Sequence, residues 1–215
     1  MTTVYVTHPR YAEHNLSGHP EHAGRIRAVW QELETAGLTT RLKRIEPQPV
    51  AEELIATVHT RHFIETLRQI DRITDRILHL NPDTYIGPHG YTIARLAAGG
   101  VVQAVDEVLS GRAKNGLAAV RPPGHHAMPS YSMGFCILGN VPIAASYARQ
   151  QYGLQRILVV DFDVHHGNGT EAMFYQDDQV LFLSTHQFPF YPGTGKLNDI
   201  GEGPGRGFTV NIPLP

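Results

Sequence analysis

"QRILVVDFDVHHGNGTEAMF", Gln155 to Phe174, changes character three times in twenty residues, and its reading decides the fold. Its first half, "QRILVVDFDV", is almost continuously apolar up to Asp161, the pattern of a parallel strand covered on both faces. Two carboxylates and two imidazoles follow, then glycines, and "TEAMFYQ" reads as a short helix. A strand that passes through a polar turn into a helix is the repeating unit of a doubly wound α/β sheet. Charged groups are rarely placed beside a core without partners, so the same turn is the first candidate site.

Working outward, the rest of the chain alternates in the same way. "QVLFLSTH" is the next strand and "GFTVNIPLP" the last. Toward the N-terminus, "TTVYVTH" reads as a first strand. A helix over 18–38 follows, with Ile26, Val29, Trp30 and Leu33 at helical spacing and Gly37 as its stop. Residues 59–78 form a second helical pattern, with Phe63, Leu67, Ile70, Ile73 and Ile77 on one stripe. "PDTYIGPHG" reads as a loop, and residues 91–111 as a buried helix crowded with small side chains. "GLAAVRPPGHH" is a strand that ends at the double proline, and residues 140–153 are a helix closed by Gly153. Strands alternating with helices, joined by right-handed crossovers, predict a mostly parallel sheet between helical layers. No repeat or linker interrupts residues 1–215, which read as one domain.

Composition narrows the function. The chain has 215 residues, 41% hydrophobic and 18% charged, enough to bury a substantial core. A net charge of −2 gives no basic footprint for nucleic acid. No uncharged apolar stretch is long enough to span a bilayer, and the first residues lack the pattern of a signal peptide. The lone cysteine, Cys136, excludes an internal disulfide and points to a reducing, cytoplasmic setting. The 13 histidines stand out because several fall in short motifs.

Ligands of such sheets bind outside the carboxyl ends of the strands. His125 and His126 follow one strand, Asp161 to His166 close a second, and Ser184 to His186 close a third. Alternation along a strand directs Asp161, Asp163 and His165 to one side and Phe162, Val164 and His166 to the other. Asp163 and His165 can chelate one cation, as two of the three protein ligands a catalytic zinc takes. Asp161, one step deeper, needs a second cation or a hydrogen-bonded histidine. The plainer alternative is a solvated turn whose aspartates cap the next helix. Two adjacent histidines after a rigid Pro-Pro-Gly bend suit proton transfer near neutral pH. Phe135 and Tyr191 sit in Gly-rich loops where they could wall a narrow tunnel. Ser184 could add an oxygen ligand to a monovalent cation beside Asp161. Asp83 reads first as a solvated loop acid, and second as a rim carboxylate gripping substrate. "GNGTEA" fits a dinucleotide fingerprint literally, but the following strand ends without the ribose-binding acid and Asp161 and Asp163 would repel a pyrophosphate.

Together, "GHPEHAGRI", "RPPGHHA", "GFCILGN", "DFDVHHGNGTEAMF", "LSTHQFPFYPGTG" and "NIPLP" resemble the zinc-dependent deacetylases: histone deacetylases, acetylpolyamine amidohydrolases and acetoin-utilisation proteins. The resemblance covers nearly the whole chain. It implies a three-layer, arginase-like α/β sandwich and hydrolysis of acetylated lysine peptides, polyamines or small acetyl-amides. It implies that Asp163 and His165 bind zinc and that His125 and His126 are the tandem histidines, with His126 the general base and acid. Asp161 would support His125, and Asn168 would support His126. Phe135 and Tyr191, with Gly134, would wall the acyl tunnel, and Arg25 would lie near the inner cavity where acetate leaves. A structural potassium would use Asp161 and Ser184, and a second would use carbonyls near Phe174, Asp177, Val180 and Phe208.

Two departures accompany this. Gly139 replaces the first of two asparagines, and Asn168 stands where some relatives carry aspartate. The family's third zinc ligand and its transition-state tyrosine come from segments later than Pro215. The resemblance is therefore to the N-terminal portion of the domain. The expectations are weak activity for this chain alone, an exposed edge on the last strand, and self-association or a complementing C-terminal segment as partner. A non-catalytic metal-, ligand- or partner-binding relative, and a nucleotide-binding oxidoreductase, are the alternatives.

Overall fold

The computed structural model describes residues 2–215. Two parallel three-stranded sheets and one hairpin carry the chain, with helices against them. In the first sheet β1 (Thr3–Val6) lies between β2 (Lys43–Ile45) and β5 (Asn115–Ala118). In the second, β6 (Ile157–Asp161), β7 (Val180–Gln187) and β8 (Thr209–Leu214) run side by side. The alternation read from the sequence thus gives the parallel α/β architecture expected.

Helix α4 (Gly90–Leu109) is the buried spine, as its small residues predict. It packs on α5 (Asn140–Tyr152), α3 (Arg61–Ile73) and strands β1 and β5. The largest apolar cluster joins Phe63 and Leu67 of α3 and Ile143 of α5 to Ile55 of the short helix α2 (Glu52–Ile55), to Ile86 and to the loop residue Ile137. Burying each such side chain is worth roughly 1.5–3 kcal/mol. Helix α1 (Gly24–Thr35) buries only Ile26 fully, and Val29 on its predicted stripe is exposed.

Three expectations change. The helix predicted to reach Ile77 stops at Ile73, which is 79% exposed, because Thr74 turns extended. Residues predicted as helix end and loop instead form an antiparallel hairpin, β3 (Leu78–Asn81) and β4 (Thr84–Ile86). The hairpin wins because Leu78, Leu80 and Ile86 then reach the main core from one sheet face. The strand predicted to run to the double proline ends at Ala118.

Strand β6 departs from expectation as well: it is apolar on both faces but covered on one. Ile157 and Val159 pack with Ala145, Phe174 and Val180. Leu158 is 60% exposed and Val160 50%. Strands β5 and β6 each pair on one side only. Between their open edges lies a cavity of about 580 Å³, lined by Gly116, Leu158 and Val160 and floored by Val105, Val141 and Ala145. The exposed edge was expected on the last strand; β8 is an edge, but the apolar opening lies between β5 and β6.

Candidate active site

The strand β6 ends at Asp161, so simple alternation does not carry on to His165. Two side-chain turns do its work. The Asp163 N–H donates to Asp161 Oδ1 at 3.1 Å, and the His165 N–H donates to Asp163 Oδ1 at 2.8 Å. These turns bring Asp163 Oδ1 within 3.1 Å of His165 Nδ1. His166 goes the other way. It is buried with its Nδ1 2.8 Å from Thr194 Oγ1 and its Nε2 3.1 Å from Glu171.

The tandem histidines meet this turn from the loop after β5. His125 Nδ1 lies 2.9 Å from Asp161 Oδ2, and His126 Nδ1 lies 2.7 Å from Asn168 Oδ1. Helix α6 (Asn168–Phe174) locks the two segments together: the Gly169 and Thr170 N–H groups both donate to the His125 carbonyl. Only glycine fits at position 169, where a Cβ would stand 2.2 Å from the Ala127 carbonyl oxygen. The two hydrogen bonds to the His125 carbonyl also close the dinucleotide reading, since the amides a pyrophosphate would take are engaged.

Burial, with the neighbouring His125, lowers the His126 pKa to about 4, against a smaller opposing pull from Asn168. The imidazole is therefore neutral at pH 7. For Asp163, burial pushes upward, but the His165 N–H and the two nearby imidazoles outweigh it and hold the carboxyl below its ordinary value.

These groups open into a cavity of about 510 Å³, lined also by Arg25, Gly134, Phe135 and Tyr191. The Tyr191 ring stands edge-on to His126 at 5.1 Å. Gly134 has φ +57°, and a Cβ there would strike the His126 ring at 2.3 Å. Asp83 lies at this cavity rather than in a solvated loop, because the β3–β4 hairpin carries it there. Its carboxylate accepts from the Tyr191 hydroxyl at 2.8 Å, the Gly134 N–H at 3.1 Å and the Thr84 hydroxyl at 2.6 Å.

Arg25 lines the cavity but is 60% exposed and pairs with Glu21 at 3.0 Å. The buried guanidinium nearby is Arg121, which holds the same Glu21 and the Tyr11 carbonyl. Sequence reasoning missed this pair although "GHPEH" and "RPPGHH" contain both residues. Asp161, Ser184 and Asn211 lie in register across the second sheet. Ser184 is fully buried, its Oγ 2.9 Å from His186 Nδ1. His186 turns away from the cavity, its Nε2 2.8 Å from the Gly195 carbonyl, so the third strand end does not line the site as expected. In the second expected potassium set, the Phe174 and Phe208 carbonyls accept from Asp177 and Phe182 N–H groups.

Among the described residues no group of three His, Cys, Asp or Glu side chains gathers to hold a metal. The pair Asp163 Oδ1 and His165 Nδ1 does fit two ligands of one ion. Their 3.1 Å separation is close to the roughly 3.3 Å edge that tetrahedral zinc distances give.

Fold and site define the class: a parallel α/β protein with carboxylates and braced imidazoles outside its strand ends. The histone deacetylase domain model matches residues 19–215, and the chain belongs to that family. It is 41% identical to "Histone deacetylase 10, chloroplastic" of Oryza sativa subsp. japonica, over 99% of this chain and 51% of that protein. A "Probable deacetylase" of Archaeoglobus fulgidus is 40% identical over the whole chain and 60% of its own length. The crystal structure of the HDA15 HD domain superposes with a TM-score of 0.94 at 36% identity, over 99% of this chain and 61% of that one. The chain spans about half to three-fifths of the length of these relatives.

Proposed function

We propose that residues 1–215 carry the proton-transfer and partial metal-binding half of a zinc-dependent amidohydrolase that removes acetyl groups from lysine or polyamine-type amines. The observation that carries this reading is one cavity lined by the Asp163–His165 pair and the neutral His126 together. Asp163 and His165 would hold the zinc, which when bound polarises a carbonyl and acidifies water. His126 takes the proton of the attacking water and returns it to the leaving amine. His125, its Nδ1 held by Asp161, stands beside it as a second imidazole. Phe135 and Tyr191 flank the acyl chain and exclude water, and Asp83 offers an acceptor at the mouth. Asp161 and Ser184 are the side chains proposed for potassium.

Completion of the site is part of the proposal. A segment of the kind by which the relatives exceed this chain would enter the apolar opening between β5 and β6 and pair with both edges. It would supply the third ligand and an oxyanion donor, worth roughly 3 kcal/mol of barrier.

The test is zinc stoichiometry and acetyl-lysine peptide turnover, with and without such a segment. The 215-residue chain alone should hold zinc weakly and turn over slowly, and the completed protein should recover both. Asp163→Asn or His165→Ala should abolish zinc retention in the completed protein. Retention unchanged in both variants would overturn the assignment of the ligands. Full turnover by the 215-residue chain alone would overturn the need for completion.

A further inference from the structure

The support behind His126 is an amide, and an amide can face two ways. Asn168 presents either its oxygen or its nitrogen to His126 Nδ1, and each choice dictates a different tautomer. The surroundings of the other end settle which. Asn168 Nδ2 lies 3.2 Å from Met128 Sδ and 3.3 Å from Met133 Sδ. A thioether accepts weakly and has no hydrogen to give. With the amide reversed, its oxygen would face two sulfurs and gain no hydrogen bond. With the NH2 group there, two N–H···S contacts form. Oδ1 then faces His126 Nδ1 at 2.7 Å and can only accept. Nδ1 must carry the proton, which leaves the lone pair on Nε2.

We propose that Met128 and Met133 are positioning residues: their sulfurs fix the orientation of the Asn168 amide and through it the Nδ1–H tautomer of His126. The role exists because residue 168 is asparagine. An aspartate has two acceptor oxygens and would select the same tautomer without help. Both sulfurs are held by backbone order: the Met128 N–H donates to the Tyr131 carbonyl, its carbonyl meets His59, and Met133 bridges to Cys136. The inference rests on the reading of His126 as proton acceptor, but the tautomer is measured without turnover.

The experiment is long-range ¹H–¹⁵N correlation of the His126 ring at neutral pH in the 215-residue chain. Leucine is near-isosteric with methionine and lacks the acceptor. Wild type should show a protonated Nδ1 and an unprotonated Nε2. In M128L/M133L the Nε2–H form should rise about two- to tenfold, the worth of one ordinary hydrogen bond. Each single variant should move part of the way. Adding Asn168→Asp to the leucine pair should return the ring to Nδ1–H, a rescue that a purely packing role would not show. An Nε2–H ring in wild type, an unchanged ratio in M128L/M133L, or failure of the aspartate rescue would each overturn the proposal. A tautomer switch that leaves acetyl-lysine turnover of the completed protein unchanged would instead overturn the assignment of His126 as the base.

Discussion

Replacing His59 with glutamine should flatten the acid limb of this protein's stability curve. His59 is 3% exposed and joins two loops of the site region. Its Nδ1 lies 3.1 Å from the Met128 carbonyl, and its Nε2 accepts the Gly139 N–H at 2.9 Å. Both ring nitrogens are satisfied only when the ring is neutral. Burial lowers its pKa from 6.5 to about 4, against smaller upward pulls from the carbonyls of Pro129 and Met128. The unfolded chain therefore binds a proton below pH 6.5 that the folded chain refuses until about pH 4. Stability from this group is complete above pH 6.5 and is lost as pH falls through the interval between the two values. Integrated between pH 7 and pH 5, that loss is about 2 kcal/mol, and about 3 kcal/mol once pH is well below 4. Glutamine keeps a donor and an acceptor but does not titrate. Urea unfolding of both proteins from pH 8 to pH 4 gives the difference curve directly. His59→Gln should be less stable at pH 8 and should converge on wild type toward pH 5 by that same amount. Parallel curves across the interval would refute the reasoning.

Two further outcomes follow from buried geometry. Glu21→Gln leaves the Arg121 guanidinium buried beside an uncharged amide; urea unfolding should show a loss of about 3–5 kcal/mol, and a loss near zero would mean that the pair is solvated. Gly169→Ala forces a methyl against the Ala127 carbonyl and should cost about 2 kcal/mol or more by the same assay, with altered His125 and His126 ring resonances; an unperturbed spectrum would show that the junction tolerates a side chain.

Much of the fold was written in local pattern. The small-residue run of α4, the Gly153 stop of α5 and the apolar run of β6 each specify their element with neighbours a few residues away. The pairs His125–Asp161 and His126–Asn168 were expected from the resemblance, and the structure brings each within hydrogen-bond reach. The hairpin carrying Asp83 was not legible, because a two-strand preference competes poorly with a helical stripe until Leu78 and Ile86 find a core to enter.

By itself the sequence determined which residue types stand at the strand exits, and so that acid, imidazole and glycine would be neighbours along the chain. Only the tertiary structure decided which of them share a space: His126 and Asp163 in the cavity, His166 and His186 turned out of it, and two methionine sulfurs behind Asn168. The reason is that backbone spacing fixes a side chain's position to within a turn. Its direction and its partner depend on hydrogen bonds and packing between segments tens of residues apart, which local pattern does not encode.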